Sequence, residues 1–339
     1  MLVAPAQAGA QFRGRSVANE NWIPAAACPG EGRGRDGFNF GLRRDDVTFM
    51  NFVNRTFRHW SLLPAVVLFV LLTIYPVANL FRMSVSTIAF TEGRELWTFT
   101  PLANLGLLRA DEVVRPAVIN TVLFVVVAVA LEIVLGLALA IVVAGVARGK
   151  GLVRTVMILP ILVPPVAIGS MWKLLYNYDF GIFNQALTAI GLPPANWLGS
   201  TSLALWSVIV VDVWHWVPFV FLILFAAVEA LPIETLEAAR VDGATRWQLV
   251  SRVMLPLLRP AIVVALVFRT ILAFKVFDEV YLLTSGGPGT STELVTLHLY
   301  KVFFEQNQLG YGALLSLALI AAIVAFLLVG WRAMRSARR

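Results

Sequence analysis

Cysteine is almost absent from this sequence, and charged residues are scarce. Cys28 is the single cysteine, so the chain can form no internal disulfide and offers no cysteine framework for a metal. The three histidines, His59, His215 and His298, lie too far apart in sequence to suggest a zinc motif. Only 14% of the residues are charged, against about a quarter in a soluble domain. These shortages exclude a disulfide scaffold and argue against a soluble fold.

What the chain has instead is long apolar runs, which raise its hydrophobic content to 59%. A run of about 20 apolar residues is long enough to cross a hydrocarbon core of about 30 Å as a helix. We therefore predict an all-α membrane protein with a transmembrane domain over residues 60–331. Its six predicted helices cover residues 60–81, 117–144, 152–176, 203–228, 261–283 and 311–331.

The net charge of +7 is better explained by membrane orientation than by nucleic-acid binding, because basic residues of a membrane protein gather in its cytoplasmic loops. Basic residues cluster before the first span, in the second-to-third and fourth-to-fifth loops, and after the last span. The exception is the first outer loop, which carries Arg82, Arg94, Arg109 and Arg115 among several acidic residues. This distribution predicts that both termini lie in the cytoplasm.

The terminal segments show no sign of a folded domain. Residues 1–59 are rich in Gly, Ala and Arg, have no apolar region typical of a signal peptide, and are predicted to be a disordered cytoplasmic segment. Met50 is an alternative start, since it precedes a short basic lead-in to the first span, and residues 1–49 would then be a mis-called extension. Residues 332–339 form a short basic cytoplasmic tail.

The cytoplasmic loop of residues 229–257 has a local helical pattern of its own, in "EAARVDGATRWQLVSRVMLPLLRP". Pro232 suits the first turn of a helix, and Asp242 and Gly243 are expected to stop that helix with a left-handed turn. Thr245 and Gln248 have the spacing of a capping box, so a second short helix is predicted up to Leu255-Pro256. The loop is therefore predicted to form a compact helical knob outside the membrane.

This loop resembles the EAA loop of the membrane subunits of binding-protein-dependent ABC importers. The matching positions are Glu237, Ala238, Ala239, Gly243, Val253, Leu255 and Pro256, where Val253 stands in place of isoleucine. Asp242, beside the glycine, is counted with them among the residues expected to couple to the ATPase. The resemblance implies a type I ABC importer permease fold in a bacterial inner membrane. It also implies that this loop inserts into a cleft of a cytoplasmic ABC ATPase dimer, with Glu237 facing the ATPase and Gly243 making the turn.

Two further stretches resemble the maltose-type, carbohydrate branch of that family. They are "AFKVFDEVYLLTSGGPGTSTE" at residues 273–293 and "LGYGALLSLALIAAIVAFLLV" near the end, which is similar to the first of the two permeases in such systems. The implied partners are a second permease subunit, an extracytoplasmic solute-binding protein and the lipid bilayer. The implied function is import of a sugar or sugar-like solute.

Several ionisable residues fall inside the predicted spans, where they mark either a pathway or a structural pair. Arg269 needs a partner from another span, and Glu132 and Asp212 are the candidates. Lys275 has the helical spacing to pair with Asp278 and Glu279. Structural pairing is favoured over substrate contact. A proton relay in an ion-coupled secondary transporter is the rival interpretation, and the sequence shows no evident inverted repeat to support it.

The predicted pathway features are weaker signals. Pro160, Pro164 and Pro165 predict a bend in the third span. Trp214 and Trp216, with Phe219, are the best local source of aromatic surface for stacking a sugar ring, although ordinary packing explains each of them as well. These residues are candidates for the translocation pathway.

No residues suggest covalent chemistry on this chain. The run "GVARGKG" is one residue short of a phosphate-binding P-loop and lacks its Ser or Thr, so we expect no nucleotide, metal or other cofactor here. ATP would be hydrolysed by a partner subunit. An ABC permease for a polyol, glycerophosphodiester or peptide would show the same coupling motif, so the sequence leaves the solute open.

Overall fold

The computed structural model describes residues 60–91, 94–146 and 149–336. The predictions for residues 1–59, including the alternative start at Met50, lie outside the described residues, as do the last three residues of the basic tail. The described helices are α1 Leu63–Ser84, α2 Ala103–Ala110, α3 Val114–Ala144, α4 Lys150–Leu162, α5 Pro165–Leu175, α6 Ile182–Ala189, α7 Ala204–Glu229, α8 Ile233–Val241, α9 Arg246–Phe274, α10 Asp278–Leu283, α11 Val295–Tyr300 and α12 Leu309–Ser336.

Five of these helices, α1, α3, α7, α9 and α12, are long and apolar enough to cross a membrane. The count reaches six when α4 and α5 are taken together as one bent span. The predicted number of spans therefore agrees with the described part of the chain, although the third span is not one helix.

The third span bends by 95° between α4 and α5, a much sharper break than a proline kink within one helix. Val163 is extended, because the residue before a proline is kept out of the helical region. Pro164 follows with an extended ψ of 139°, and Pro165 starts α5 at a position where its missing N–H costs nothing. The two adjacent prolines thus end one helix and begin the next.

The fifth span also differs from its prediction, because α9 ends at Phe274 rather than near residue 283. The chain then turns over Lys275–Phe277 before α10 begins. Thr296 satisfies the carbonyl freed at this turn, since its Oγ1 donates to Val276 O at 2.6 Å. Lys275 is therefore not on one helix with Asp278 and Glu279, and its predicted pairing with them is wrong.

A small β-hairpin, which the sequence did not predict, follows α1. Strands β1 Ser86–Thr91 and β2 Arg94–Phe99 pair antiparallel, with Ser86 opposite Phe99. Asn104 of α2 holds the hairpin's base, donating from Nδ2 to Ser84 O and Ser86 O at 2.8 and 3.2 Å. The hairpin and α2 together fill the first outer loop.

The core of the helical domain is the contact between α3 and α7. Phe124, Val125 and Ala128 of α3 and Val208 of α7 are fully buried there. The two helices come closest at Gly136, where an added Cβ would lie 2.7 Å from Val220 Cγ1 and 3.0 Å from Phe221 N. Small residues at such contacts let helix backbones approach one another in a membrane.

Gly136→Val is expected to destabilise the protein by about 1–3 kcal/mol, because the new side chain overpacks the α3–α7 contact. Thermal unfolding of the purified protein in detergent measures the change. Gly330→Val is the matched control, since Gly330 also lies in a long helix but an added Cβ there would have nothing within 4 Å. Equal melting temperatures for the two variants would contradict this packing account.

Candidate functional site

The predicted knob is present on the cytoplasmic side of the expected topology. Pro232 is the residue before α8, and Gly243 ends that helix with a left-handed φ of +82°. The N–H groups of Gly243 and Ala244 donate to Arg240 O and Ala239 O, both at 3.0 Å, which closes the turn. The predicted glycine turn is therefore confirmed.

The capping box at the start of α9 is also confirmed. Thr245 Oγ1 accepts from the N–H of Gln248 at 3.3 Å, and the N–H of Thr245 donates to Gln248 Oε1 at 2.8 Å. The second helix does not end at Leu255-Pro256, however, but continues as α9 into the fifth span. A π-helical turn at Leu249–Met254 ends two residues before Pro256, so the wider turn accommodates a residue that cannot donate its own hydrogen bond.

The knob, defined as residues 232–254, packs against the helical core on one side and is exposed to solvent on the other. Leu249 and Met254 are buried in the core cluster formed with the C-terminal halves of α3 and α7. Val241 and Trp247 are 87% and 77% exposed, which is high for large apolar side chains. Ala239, Val253 and Leu255 of the motif are half-buried, whereas Glu237, Ala238, Asp242, Gly243 and Pro256 are exposed.

The charged side chains of the knob also remain available. Glu234, Glu237, Arg240, Asp242 and Arg246 are exposed and form no ion pair with another residue of the described chain. Exposed apolar residues ringed by uncommitted charges are typical of a protein–protein contact. The knob therefore has the surface of a docking element.

Deep within the helices, Arg269 of α9 joins α3 and α7 through two carboxylates. Its Nε lies 2.5 Å from Glu132 Oε2, and its Nη2 donates to Glu132 Oε1 at 2.8 Å. The same Nη2 donates to Asp212 Oδ2. All three side chains are at most 1% exposed, so this network is closed to bulk solvent in this conformation of the chain. The structure places Arg269 between the two partners that the sequence proposed.

Two aromatic candidates have different surroundings. The ring of Trp216 lies 5.0 Å from the Arg269 guanidinium carbon and meets Phe219 edge-on at 5.8 Å. Trp214 is 38% exposed and meets Trp172 edge-on at 5.5 Å. Trp216 therefore lies against the charge network, and Trp214 against an aromatic cluster that includes Trp172 and Tyr176.

Glu279 has a partner that the sequence did not reveal, because His215 Nδ1 lies 3.0 Å from its Oε1 in a buried contact between α7 and α10. Lys275 and Asp278 are exposed and have no ion pair within the described residues. Lys275 thus stays a candidate for the pathway by its exposure alone.

A second polar network, at the outer ends of the helices, was also missed by sequence reasoning. Asp111 Oδ2 lies 2.7 Å from His298 Nε2 and accepts a hydrogen bond from Tyr311 OH at 2.7 Å. Burial raises the pKa of Asp111, but hydrogen bonds from Tyr311 and the Val113 N–H, with the contact to His298, outweigh burial and leave that pKa below its ordinary value. Nearby, Lys301 Nζ lies 2.7 Å from Glu293 Oε2. Asp111 is 187 residues from His298 and 200 from Tyr311, so no local signal could have paired it with them.

No group of three or more His, Cys, Asp or Glu side chains among the described residues is arranged to hold a metal ion.

The helical spans and the exposed knob define an integral membrane transport subunit. Residues 112–338 match the family described as binding-protein-dependent transport system inner membrane component, and this chain belongs to that family. The members are transport subunits rather than enzymes, and the fold is that of type I ABC importer permeases. The chain is accordingly a permease of an inner membrane.

Similar proteins span most of the chain. The trehalose/maltose transport system permease protein MalF of Thermococcus litoralis is 35% identical over 62% of this chain and 70% of that protein. The trehalose transport system permease protein SugA of Mycobacterium tuberculosis is 32% identical over 78% of this chain and 85% of that protein. A bacterial alginate ABC transporter, solved with its alginate-bound periplasmic protein, has a chain with a TM-score of 0.71 at 21% identity, covering 82% of this chain and 94% of that one. This last likeness shows the fold alone.

Proposed function

We propose that this chain is one of two permeases in an ATP-driven importer that receives a sugar or sugar-like solute from an extracytoplasmic binding protein. Membership of the binding-protein-dependent family supports the importer, and the names of the relatives, which refer to trehalose and maltose, support the sugar. The alginate transporter that shares the fold also handles a saccharide.

The observation that supports the proposal most strongly is the solvent-exposed apolar surface of the knob, formed by Val241 and Trp247. Val241 and Trp247 are exposed at its tip, and an importer driven by a partner ATPase gives this apolar surface a binding partner, whereas an ion-driven transporter does not. A cytoplasmic ATPase dimer would cover this tip, and closure of the dimer on ATP would push the knob. Because α9 runs without interruption from the knob into the membrane, the push would reach the fifth span directly.

Arg269, Glu132 and Asp212 are proposed to be structural rather than sugar-contacting, since the network is closed to solvent. It would hold α3, α7 and α9 together as one body while the subunit changes from inward- to outward-facing. The half-buried ring of Trp216, and the exposed Trp214 and Lys275, are the proposed candidates for the pathway wall.

Truncation of Trp247 is expected to weaken ATPase binding. An interface tryptophan that acts as an anchor contributes about 2 kcal/mol or more, so Trp247→Ala should weaken association roughly thirtyfold. The measurement is the amount of ATPase subunit that copurifies per tagged permease at increasing dilution. Trp206→Ala is the control, because Trp206 is 48% exposed but lies at the opposite, outer end of α7. Unchanged recovery with Trp247→Ala would count against the docking role.

The direct test of the function is ATP hydrolysis by the transporter in lipid nanodiscs, with its cognate solute-binding protein and either trehalose or maltose added. Stimulation that needs both the binding protein and a sugar is the expected result. If a polyol, glycerophosphodiester or peptide stimulates ATP hydrolysis and no sugar does, the chain is still an importer subunit, but its solute is not a sugar. Transport driven by a proton or sodium gradient without ATP would overturn both the importer and the sugar assignment.

A further inference from the structure

A narrow apolar groove runs between the outer halves of α3 and α12. It encloses a cavity of about 120 Å³, and its walls include Val118 and Val122 of α3 and Ala318 and Ala322 of α12. Dry apolar cavities of roughly 150 Å³ are known to admit a molecule of the size of benzene. This groove is therefore large enough for a short segment of an acyl chain.

The groove is open on the side that faces away from the core. Val118 and Val122 are 45% and 44% exposed, and Ala318 and Ala322 are exposed as well. Both helices are long and apolar enough to cross a membrane, so the open side is an apolar surface within the membrane-spanning part of the chain. The small alanine side chains on α12 create the depression between the two helices.

Two exposed arginines are close in sequence to residues that line this groove. Arg115 lies three and seven residues before Val118 and Val122, so it is on the same face of α3, about one and two turns above them. Arg109 directly follows Leu108, another residue of the groove wall, at the end of α2. Both arginines are exposed, and neither forms an ion pair with the part of the chain that the structure describes.

The length of α3 puts Arg115 at headgroup level. A helix of 31 residues is about 46 Å long, whereas the hydrocarbon core is about 30 Å thick. The first turns of α3 therefore project into the interface. Asp111 is already paired with His298 and Tyr311. The remaining exposed charges in this segment are the positive Arg109 and Arg115 and the negative Glu112, so the net charge is positive.

We propose that the groove binds an anionic phospholipid of the outer leaflet. One acyl chain lies between α3 and α12, and the phosphate accepts hydrogen bonds from Arg109 and Arg115, which suit that geometry because a guanidinium can bind phosphate with two parallel bonds. This site gives a reason for basic residues on the outer side, where the orientation rule does not require them.

Native mass spectrometry of the transporter, purified with the subunits that accompany it and equilibrated with mixed phosphatidylglycerol and phosphatidylcholine, tests the proposal. Each basic residue near an anionic surface strengthens binding by a factor of about five. The variant Arg109→Gln/Arg115→Gln is therefore expected to lower retained phosphatidylglycerol at least fivefold, with phosphatidylcholine unchanged. The charge-preserving variant Arg109→Lys/Arg115→Lys should keep most of it.

Two controls separate this site from general surface charge and from loss of folding. Arg94→Gln removes an exposed arginine of the hairpin on the same side and should leave lipid retention unchanged. Ala322→Phe fills the groove and should lower retention of both lipids, while the rate of ATP hydrolysis shows that the assembly is intact. Equal phosphatidylglycerol retention in the glutamine variant and the wild type would overturn the proposal, as would absence of bound lipid because a second permease covers the groove.

Discussion

Replacing Gly243 by proline is expected to abolish solute uptake while membrane insertion continues normally. The native φ of +82° at this position is inaccessible to proline, which is fixed near −65°. Proline also lacks the N–H that donates to Arg240 O at 3.0 Å. The turn between α8 and α9 would therefore open, and the knob would lose the shape that the ATPase has to engage. We expect uptake at least tenfold below that of the wild type.

Gly191→Pro is the matched control for this experiment. Gly191 has a φ of +80°, and its N–H donates to Thr188 O at 3.0 Å, so the same local geometry is destroyed in both variants. Gly191 lies in the loop after α6, which is expected on the outer side. Uptake is measured in cells with equal membrane levels of each variant. Normal uptake with Gly243→Pro, or equal loss with Gly191→Pro, would contradict the coupling role of the knob.

Arg269→Met is expected to destabilise the protein strongly. Removing one partner of a buried ion pair typically costs about 3–5 kcal/mol, because the remaining charge is left uncompensated. Without the Arg269 guanidinium, the two buried carboxylates of Glu132 and Asp212 have no cation between them. The variant should therefore accumulate poorly and unfold at a clearly lower temperature in detergent.

Two comparisons decide whether the loss comes from the unpaired carboxylates. Lys150→Met removes a cation whose pair with Glu229, at 2.8 Å, is largely exposed, and such pairs contribute about 0–1 kcal/mol. Adding Glu132→Gln and Asp212→Asn to Arg269→Met removes the stranded charges and should recover much of the stability. If Arg269→Met unfolds like the wild type, the network does not hold these helices together.

Features that depend on a few neighbouring residues were predictable from the sequence. Runs of about 20 apolar residues gave the number of spans, because hydrocarbon thickness dictates helix length. Gly243 and the Thr245–Gln248 pair gave the turn and the cap, because both motifs are local hydrogen-bonding patterns. The partners of Arg269 could be proposed because a membrane leaves a buried cation few alternatives.

Features that depend on tertiary contacts were not predictable. The ion pairing expected of Lys275 assumed a continuous helix, and the chain instead turns where Thr296 satisfies the Val276 carbonyl. Leu255-Pro256 was predicted to end a helix. The π-helical turn before it accommodates the proline, so the helix continues into the fifth span. The pairing of Asp111 with His298 joins segments that have no sequence signal for one another.

A permease that works as part of an ATP-driven complex should copurify with the other subunits of that complex. The chain, tagged at its C-terminus and expressed in its own host, is purified in mild detergent, and mass spectrometry identifies the proteins that accompany it. Recovery of a P-loop ATPase and a second six-span permease is the predicted result. Recovery of the chain alone, with transport that runs on a proton or sodium gradient, would contradict the account.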